Sequence, residues 1–285
     1  MFMAALDARP FGKSGVKVTS VGLGGEGVLR TSGRDAEAAA VIREALSQGI
    51  TFFDSAKAYA GSEGYYGAVW SEDPDARGGI FQASKSARRD QAGAELDLAD
   101  TLATMGIETL DLWQIHDIRS FSEIRRIEAP DGALNAFLEA RDTGLVRFIG
   151  VSGHHDPDVL THAVEVWPVD AVMMPANPVE AALSGGFLDT ALPAAEALGI
   201  AVIGMKVLGA GYYIAPDAGI SPDRLIRFAL GQEIAVAIVG CSTPGHLRVL
   251  ADAGREGALP PDEVEEVVDL FRPAARQLAY YRGAV

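Results

Sequence analysis

Four times along the chain, a glycine followed by a large aliphatic residue closes an amphipathic stretch and opens a short apolar one: Gly49-Ile50, Gly106-Ile107, Gly144-Leu145 and Gly199-Ile200. Glycine takes the left-handed conformation that ends a helix, and a short apolar run behind it reads as a buried strand. The same alternation extends over the whole sequence. Strands are predicted at residues 18–23, 51–54, 80–84, 110–115, 146–151, 171–174, 201–205 and 236–239. Helices are predicted at 35–48, 63–69, 91–105, 133–143, 157–166, 187–198, 222–231 and 244–253, with a last one over about 261–278. Residues 9–18 are punctuated by glycine and alternate polar with apolar, which predicts a small β-hairpin before the main fold. Eight β-then-α units in 285 residues, with no long polar linker, predict the α/β class and one (β/α)8 barrel of the TIM type over residues 1–285. An open doubly wound sheet would show the same alternation, but the count of eight favours closure.

Composition narrows the partners. The net charge of −15 argues against nucleic acid or an anionic membrane surface. A phosphate-bearing ligand would then need local donors, such as helix N-termini and a few placed cations. The single cysteine, Cys241, excludes an internal disulfide and fits a reducing cytoplasm. Residues 1–10 have no secretory pattern, and no run approaches the roughly 20 apolar residues of a membrane span. The expectation is a cytoplasmic protein acting on a small molecule. No sequence feature sets its oligomeric state.

In a barrel of this kind the chemistry sits at the carboxyl ends of the strands. Three polar residues fall there on consecutive strands: Asp54, Lys85 and His116. Tyr59 follows Asp54 by five positions. Singly, each has a plain structural reading: Asp54 a helix cap, Tyr59 a packing residue, Lys85 a solvated lysine, His116 a core histidine. Together they form a proton-handling set. A phenol has a pKa of about 10, and an adjacent ammonium lowers it by favouring the phenolate. A carboxylate holds that ammonium in place, and a histidine orients a substrate oxygen. The assignment is Tyr59 as general acid and base, Lys85 as its tuner, Asp54 as the partner of Lys85 and His116 as the orienting group.

Several runs carry a resemblance. They are Gly49-Ile50-Thr51-Phe52-Phe53-Asp54-Ser55-Ala56-Lys57-Ala58-Tyr59, Gly61-Ser62-Glu63, Ala83-Ser84-Lys85 and Leu110-Asp111-Leu112-Trp113-Gln114-Ile115-His116. Through them, and through Val146-Arg147-Phe148-Ile149-Gly150-Val151-Ser152, the chain resembles the aldo-keto reductases along nearly its whole length. The resemblance implies hydride transfer with NADP(H) or NAD(H), a small carbonyl or a sugar or alcohol as substrate, and a tetrad of Asp54, Tyr59, Lys85 and His116. It also implies a set of cofactor contacts: Ser152 at the carboxamide, Met173 and Met205 around the nicotinamide, and Lys206, Leu208 and Gly209 at the pyrophosphate. Gly240, Ser242, Thr243 and His246 follow at the helix N-terminus after the last strand. Gly153, Met173 and Met205 stand where the family often has asparagine, glutamine and an aromatic, which is similar to its Met-Lys-Pro-Leu-Gly branch. Gly240 and His246 stand where NADP-preferring members carry a lysine and an arginine. The family at large leans the expectation slightly to NADP.

Other readings are weaker. His154-His155 with His116 invites a metal, yet adjacent histidines and one distant residue do not make a zinc pattern, so no metal is expected. A metal-dependent barrel hydrolase and a redox-sensing protein that binds nicotinamide with slow turnover are the rival functions. Specificity is expected from the loops at 117–131 and 212–220, with Tyr65, Tyr66, Phe121, Tyr212 and Tyr213 as candidate pocket walls.

Overall fold

In the computed structural model, which describes residues 4–283, the chain begins with an antiparallel pair, β1 (Ala8–Pro10) and β2 (Lys17–Thr19). Eight parallel strands follow: β3 (Val21–Gly27), β4 (Phe52–Phe53), β5 (Phe81–Ser86), β6 (Leu110–Ile115), β7 (Val146–Ser152), β8 (Ala171–Pro175), β9 (Ala201–Met205) and β10 (Val236–Cys241). They close in sequence order, with β10 pairing β3. The predicted barrel, hairpin and C-terminal helix are all present.

The helices in chain order are α1 (Asp35–Ser47), α2 (Ser62–Glu72), α3 (Pro74–Gly78), α4 (Gln91–Met105), α5 (Phe121–Ile127), α6 (Ala133–Asp142) and α7 (Pro157–Val166). Then come α8 (Pro178–Ala181), α9 (Ala191–Leu198), α10 (Pro222–Leu230), α11 (Pro244–Glu256), α12 (Pro261–Phe271) and α13 (Ala275–Leu278). The four glycines of the repeat have φ of +81°, +64°, +79° and +67°, the left-handed values that only glycine adopts freely. Several boundaries differ from expectation: β3 runs on to Gly27 rather than 23, and α9 starts at Ala191 rather than 187. The strand predicted at 80–84 runs on through Lys85, so that lysine is a barrel residue rather than a loop residue. The last helix breaks at Arg272-Pro273-Ala274, because proline cannot donate to the helical ladder. The short α3, α5 and α8 lie in loops that the periodicity did not mark as helical.

Alternation on each strand separates two apolar layers. Inward side chains, among them Phe52, Phe81, Leu112, Met173 and Ile203, fill the barrel. Outward ones, among them Phe53, Trp113 and Ile149, pack under the helices. The hairpin has a definite use. Its Phe11 is wholly buried in the interior layer, with ring centroids 4.7 Å from Phe81 and 6.1 Å from Phe52. It plugs the barrel end away from the strand carboxyl ends and leaves the other end for a site. Phe11→Ala is expected to lower the unfolding free energy by about 3–5 kcal/mol, read from urea denaturation; a loss under about 1 kcal/mol would mean that the plug is dispensable.

Candidate active site

The carboxyl ends of β4, β5 and β6 bring Asp54, Lys85 and His116 together. Lys85 lies wholly inside the barrel wall, and its Nζ donates to both Asp54 oxygens, at 2.6 and 2.7 Å, and to the Ser55 carbonyl at 2.8 Å. All three of its protons are therefore used. Burial pushes the Lys85 ammonium down and the Asp54 carboxyl up, and each is opposed by the charge of the other. Tyr59 completes the set. Its ring centroid is 4.9 Å from Lys85 Nζ and 5.6 Å from the His116 ring, which meets it edge to face. Thus all four residues of the expected tetrad converge.

The loop carrying Tyr59 is pinned from below. Ser55 Oγ donates to Ser62 Oγ at 2.8 Å. The buried Glu63 accepts from Ser84 Oγ at 2.7 Å and Thr101 Oγ1 at 2.8 Å, and its other oxygen takes Lys57 Nζ at 3.2 Å. The Gly-Ser-Glu run thereby ties the Tyr59 loop to the strand that carries Lys85. From the other side Gly25 of β3 makes room for the ring: a Cβ there would lie 2.6 Å from Tyr59 Cδ2.

The electrostatics differ from the sequence expectation in one respect. Burial, reinforced by the Asp54 and Glu26 carboxylates, raises the Tyr59 phenol above its ordinary value. Arg30 is the cation that pulls it down; its guanidinium carbon sits 5.1 Å from the ring centroid. Tyr59 is therefore a neutral phenol in the free protein. His116 is neutral too: burial, then the nearby Lys85 charge, lower its pKa to about 3.

The residues assigned to a cofactor occupy the opposite arc, on β7 to β10. Met173 is buried in the interior layer, 1% exposed. Met205 packs on that layer at the rim. Ser152 Oγ accepts from the Asp117 amide at 2.9 Å, so its hydroxyl already serves the neighbouring loop. Lys206 has φ +53°, makes no ion pair among the described residues and lies 5.5 Å from the Tyr281 ring. Leu208 packs against the outer core, and Gly209, at φ +54°, has a position where a Cβ would strike the Tyr213 ring. On the adjacent β10 side Thr243 caps α11 by accepting from the His246 amide at 3.2 Å, and Ser242, Thr243 and His246 are exposed. The exposed N-terminus of the 13-residue α11 and Lys206, which follow the neighbouring strands β10 and β9, are groups of the kind that bind phosphate. Gly240 offers no cation: a side chain there would run into Glu26, whose Cβ is 2.5 Å away. Arg248 is paired with Glu44 at 3.3 Å.

Asp54 is fully engaged by Lys85 and does not join His116 and His154. Among the described residues no group of three His, Cys, Asp or Glu side chains is placed to hold a metal. Of the expected pocket walls, Tyr65, Tyr66 and Tyr213 are core residues at 5%, 0% and 1% exposure, while Phe121 and Tyr212 are exposed. Charged residues near the tetrad escaped the sequence reading: Glu26, Arg30, Arg89 and Asp117. The signal for Asp117 was its place directly after His116. Arg30 had none, since it lies beyond its strand on a short helical turn.

Comparison with known proteins decides the family. The model of the aldo/keto reductase family matches residues 20–215. The chain belongs to the aldo/keto reductase family. The match spans the whole tetrad and ends before Gly240. Among curated relatives of this aldo/keto reductase, L-galactose dehydrogenase of Arabidopsis thaliana is 27% identical over 73% of the chain and 67% of its own length. The 6-dehydroglucose reductase of Novosphingobium aromaticivorans is 30% identical over 50% of each chain. These matches thus span half to two thirds of the relatives' lengths. The fold matches the solved holo form of an aldo-keto reductase from Bacillus halodurans, with a TM-score of 0.78 at 17% identity over 93% of this chain and 96% of that one. Family and relatives make the protein an oxidoreductase.

The neutral His116 has a measurable consequence. Unfolded, it takes a proton near its ordinary 6.5; folded, only at about 3. Between those values the unfolded chain binds the extra proton, so stability falls as pH drops through the window. His116→Gln is expected to lose less stability than the wild type between pH 6.5 and pH 3, measured as the urea midpoint. Parallel losses would mean that His116 ionises within the folded protein.

Proposed function

We propose that this protein is an NAD(P)(H)-dependent aldo-keto reductase that reduces an aldehyde or ketone carbonyl, or in reverse oxidises a sugar or alcohol, with Tyr59 as general acid and base. The observation that carries the reading is the buried Lys85–Asp54 pair set beneath Tyr59 and His116. A buried ion pair is a weak stabiliser compared with apolar packing, so its position against a phenol calls for chemistry. A nicotinamide, when bound, supplies or accepts the hydride at the reacting carbon. The chain supplies the rest. Tyr59 holds its proton until the substrate oxygen gains charge, then donates it. Lys85 stabilises the phenolate so formed, and Asp54 keeps Lys85 charged and oriented. His116, with one N–H to give, holds the same oxygen. Lys206, Leu208, Gly209, Ser242 and Thr243 would hold the pyrophosphate side of a bound dinucleotide, and Met205, Met173 and Ser152 would serve its nicotinamide side. Two of the relatives, an L-galactose dehydrogenase and a 6-dehydroglucose reductase, support a hydroxylated substrate.

Tyr59→Phe is expected to bind dinucleotide as the wild type does and to lose about a hundredfold or more in kcat; wild-type turnover in that variant would sink the role. Neither Gly240 nor Arg248 offers a free cation to a ribose phosphate. NADH and NADPH are therefore expected to bind within about tenfold of each other, about 1.4 kcal/mol, in a titration that follows tryptophan fluorescence. NADPH binding a hundredfold tighter would show a phosphate site elsewhere and overturn this reading of the α11 end.

A further inference from the structure

The tail of the chain, up to Gly283, folds back against the loops that follow β7, β8 and β9, and a buried carboxylate fastens it there. Glu180, on the short α8 after β8, is 1% exposed. Its Oε1 accepts from the Tyr281 hydroxyl at 2.8 Å and from Arg282 Nε at 3.0 Å, and its Oε2 pairs with Arg282 Nη2. Among the described residues its one further donor is the Phe187 amide, at 3.2 Å. Gly186 makes room for the latch, since a Cβ there would strike the Arg282 guanidinium. The Gly283 amide adds a bond to the His155 carbonyl at 3.0 Å. A buried carboxylate is costly unless it is paired, so the tail and α8 hold one another.

The latch fixes the place of one ring. Tyr281 is 6% exposed, and the His154 ring meets it edge to face, with centroids 6.1 Å apart. The Lys206 ammonium lies 5.5 Å from the Tyr281 centroid. Asn177 ties the two residues together: its Nδ2 donates to the Tyr281 hydroxyl at 3.1 Å and to the Lys206 carbonyl at 3.2 Å. That carbonyl also accepts from the Gly209 amide, at 3.0 Å. Lys206 is thereby kept at φ +53°, a conformation that costs a non-glycine residue energy and tends to persist at functional sites. Both ends of this lysine are thus placed by groups that lead back to Glu180. A ring face also differs from a carboxylate as a partner. It attracts the ammonium without cancelling its charge, so the half-buried Lys206 keeps that charge for an anion.

We propose that Tyr281 is a positioning residue for the dinucleotide: its ring, latched with Arg282 onto Glu180, holds the Lys206 ammonium in place for a phosphate. The inference rests on the nicotinamide reading above and adds that dinucleotide affinity depends on the C-terminal tail. The physical gain is preorganisation. A lysine side chain ordered before the ligand arrives has less freedom to lose on binding.

The test is a double-mutant cycle on the affinity for NADH and NADPH, measured by calorimetry on the full chain, with thermal melts to check folding. Lys206→Met is expected to weaken binding by about thirtyfold, the loss of a charge-assisted contact. Tyr281→Leu is expected to weaken it by about tenfold, and to do so through Lys206. In the double variant the change at Tyr281 is therefore expected to add nothing, whereas a purely structural role would add its full effect. Tyr281→Phe keeps the ring over the ammonium and is expected to bind within about threefold of the wild type. Additive losses in the double variant would overturn the inference and leave the nicotinamide reading standing. So would a loss in Tyr281→Phe as large as in Tyr281→Leu, or wild-type affinity in either Lys206→Met or Tyr281→Leu. No binding of either dinucleotide by the wild type would overturn the nicotinamide reading and this inference with it.

Discussion

The ion pair of Lys85 and Asp54 is buried in the barrel wall and saturated: three donor protons meet two carboxylate oxygens and one carbonyl. Removing one partner of such a pair typically costs about 3–5 kcal/mol, because the other is left charged and unsolvated. Everything else at the mouth is arranged around that commitment. The Ser55 carbonyl that accepts the third proton belongs to the loop leading to Tyr59. Ser62 holds this loop through Ser55, and its neighbour Glu63 grips the strand carrying Lys85 through Ser84. Backbone, ion pair and phenol therefore form one rigid unit, in which the reacting geometry is set before any ligand arrives.

Rigidity alone does not give the unit its chemistry. Burial keeps both Tyr59 and His116 uncharged near neutral pH, although the carboxylates of Asp54, Glu26 and Asp117 and the cations of Arg30, Lys85 and Arg89 act on them. A neutral donor pair suits an oxygen that becomes negative during reaction, since each donor still holds the proton it would give. The opposite arc is built differently. There the candidate ligand contacts are backbone shapes, left-handed turns at Lys206, Gly209, Ala210 and Gly211 and a helix N-terminus, rather than buried charges.

The barrel was legible in the sequence because the signals that define it are local. A glycine that needs positive φ and an apolar run of strand length are each visible within ten residues or so. The tetrad was legible for a related reason: residues at the ends of consecutive strands become neighbours once closure is assumed. What escaped notice depends on distance in the chain. Arg30 reaches the Tyr59 ring from the helical turn after β3, and Tyr281 meets Glu180 and Asn177 across a hundred residues or more. The upward shift of Tyr59 was hidden as well, since the lysine that would lower a phenol is visible in sequence while the burial that raises it is not. Aromatic residues near the mouth misled in the opposite sense. Tyr65 and Tyr66 sit on a loop-proximal helix, but their faces turn to the core.

Gly25 locates the phenol by having no side chain. Every missense change at that codon adds a carbon where the Tyr59 ring now lies. Natural variants at this position would be read by selection as lesions of activity while the fold around them, fixed by the strand pairing of β3 with β4 and β10, carries on. In a genetic screen the residue would score with the catalytic groups although it performs no chemistry.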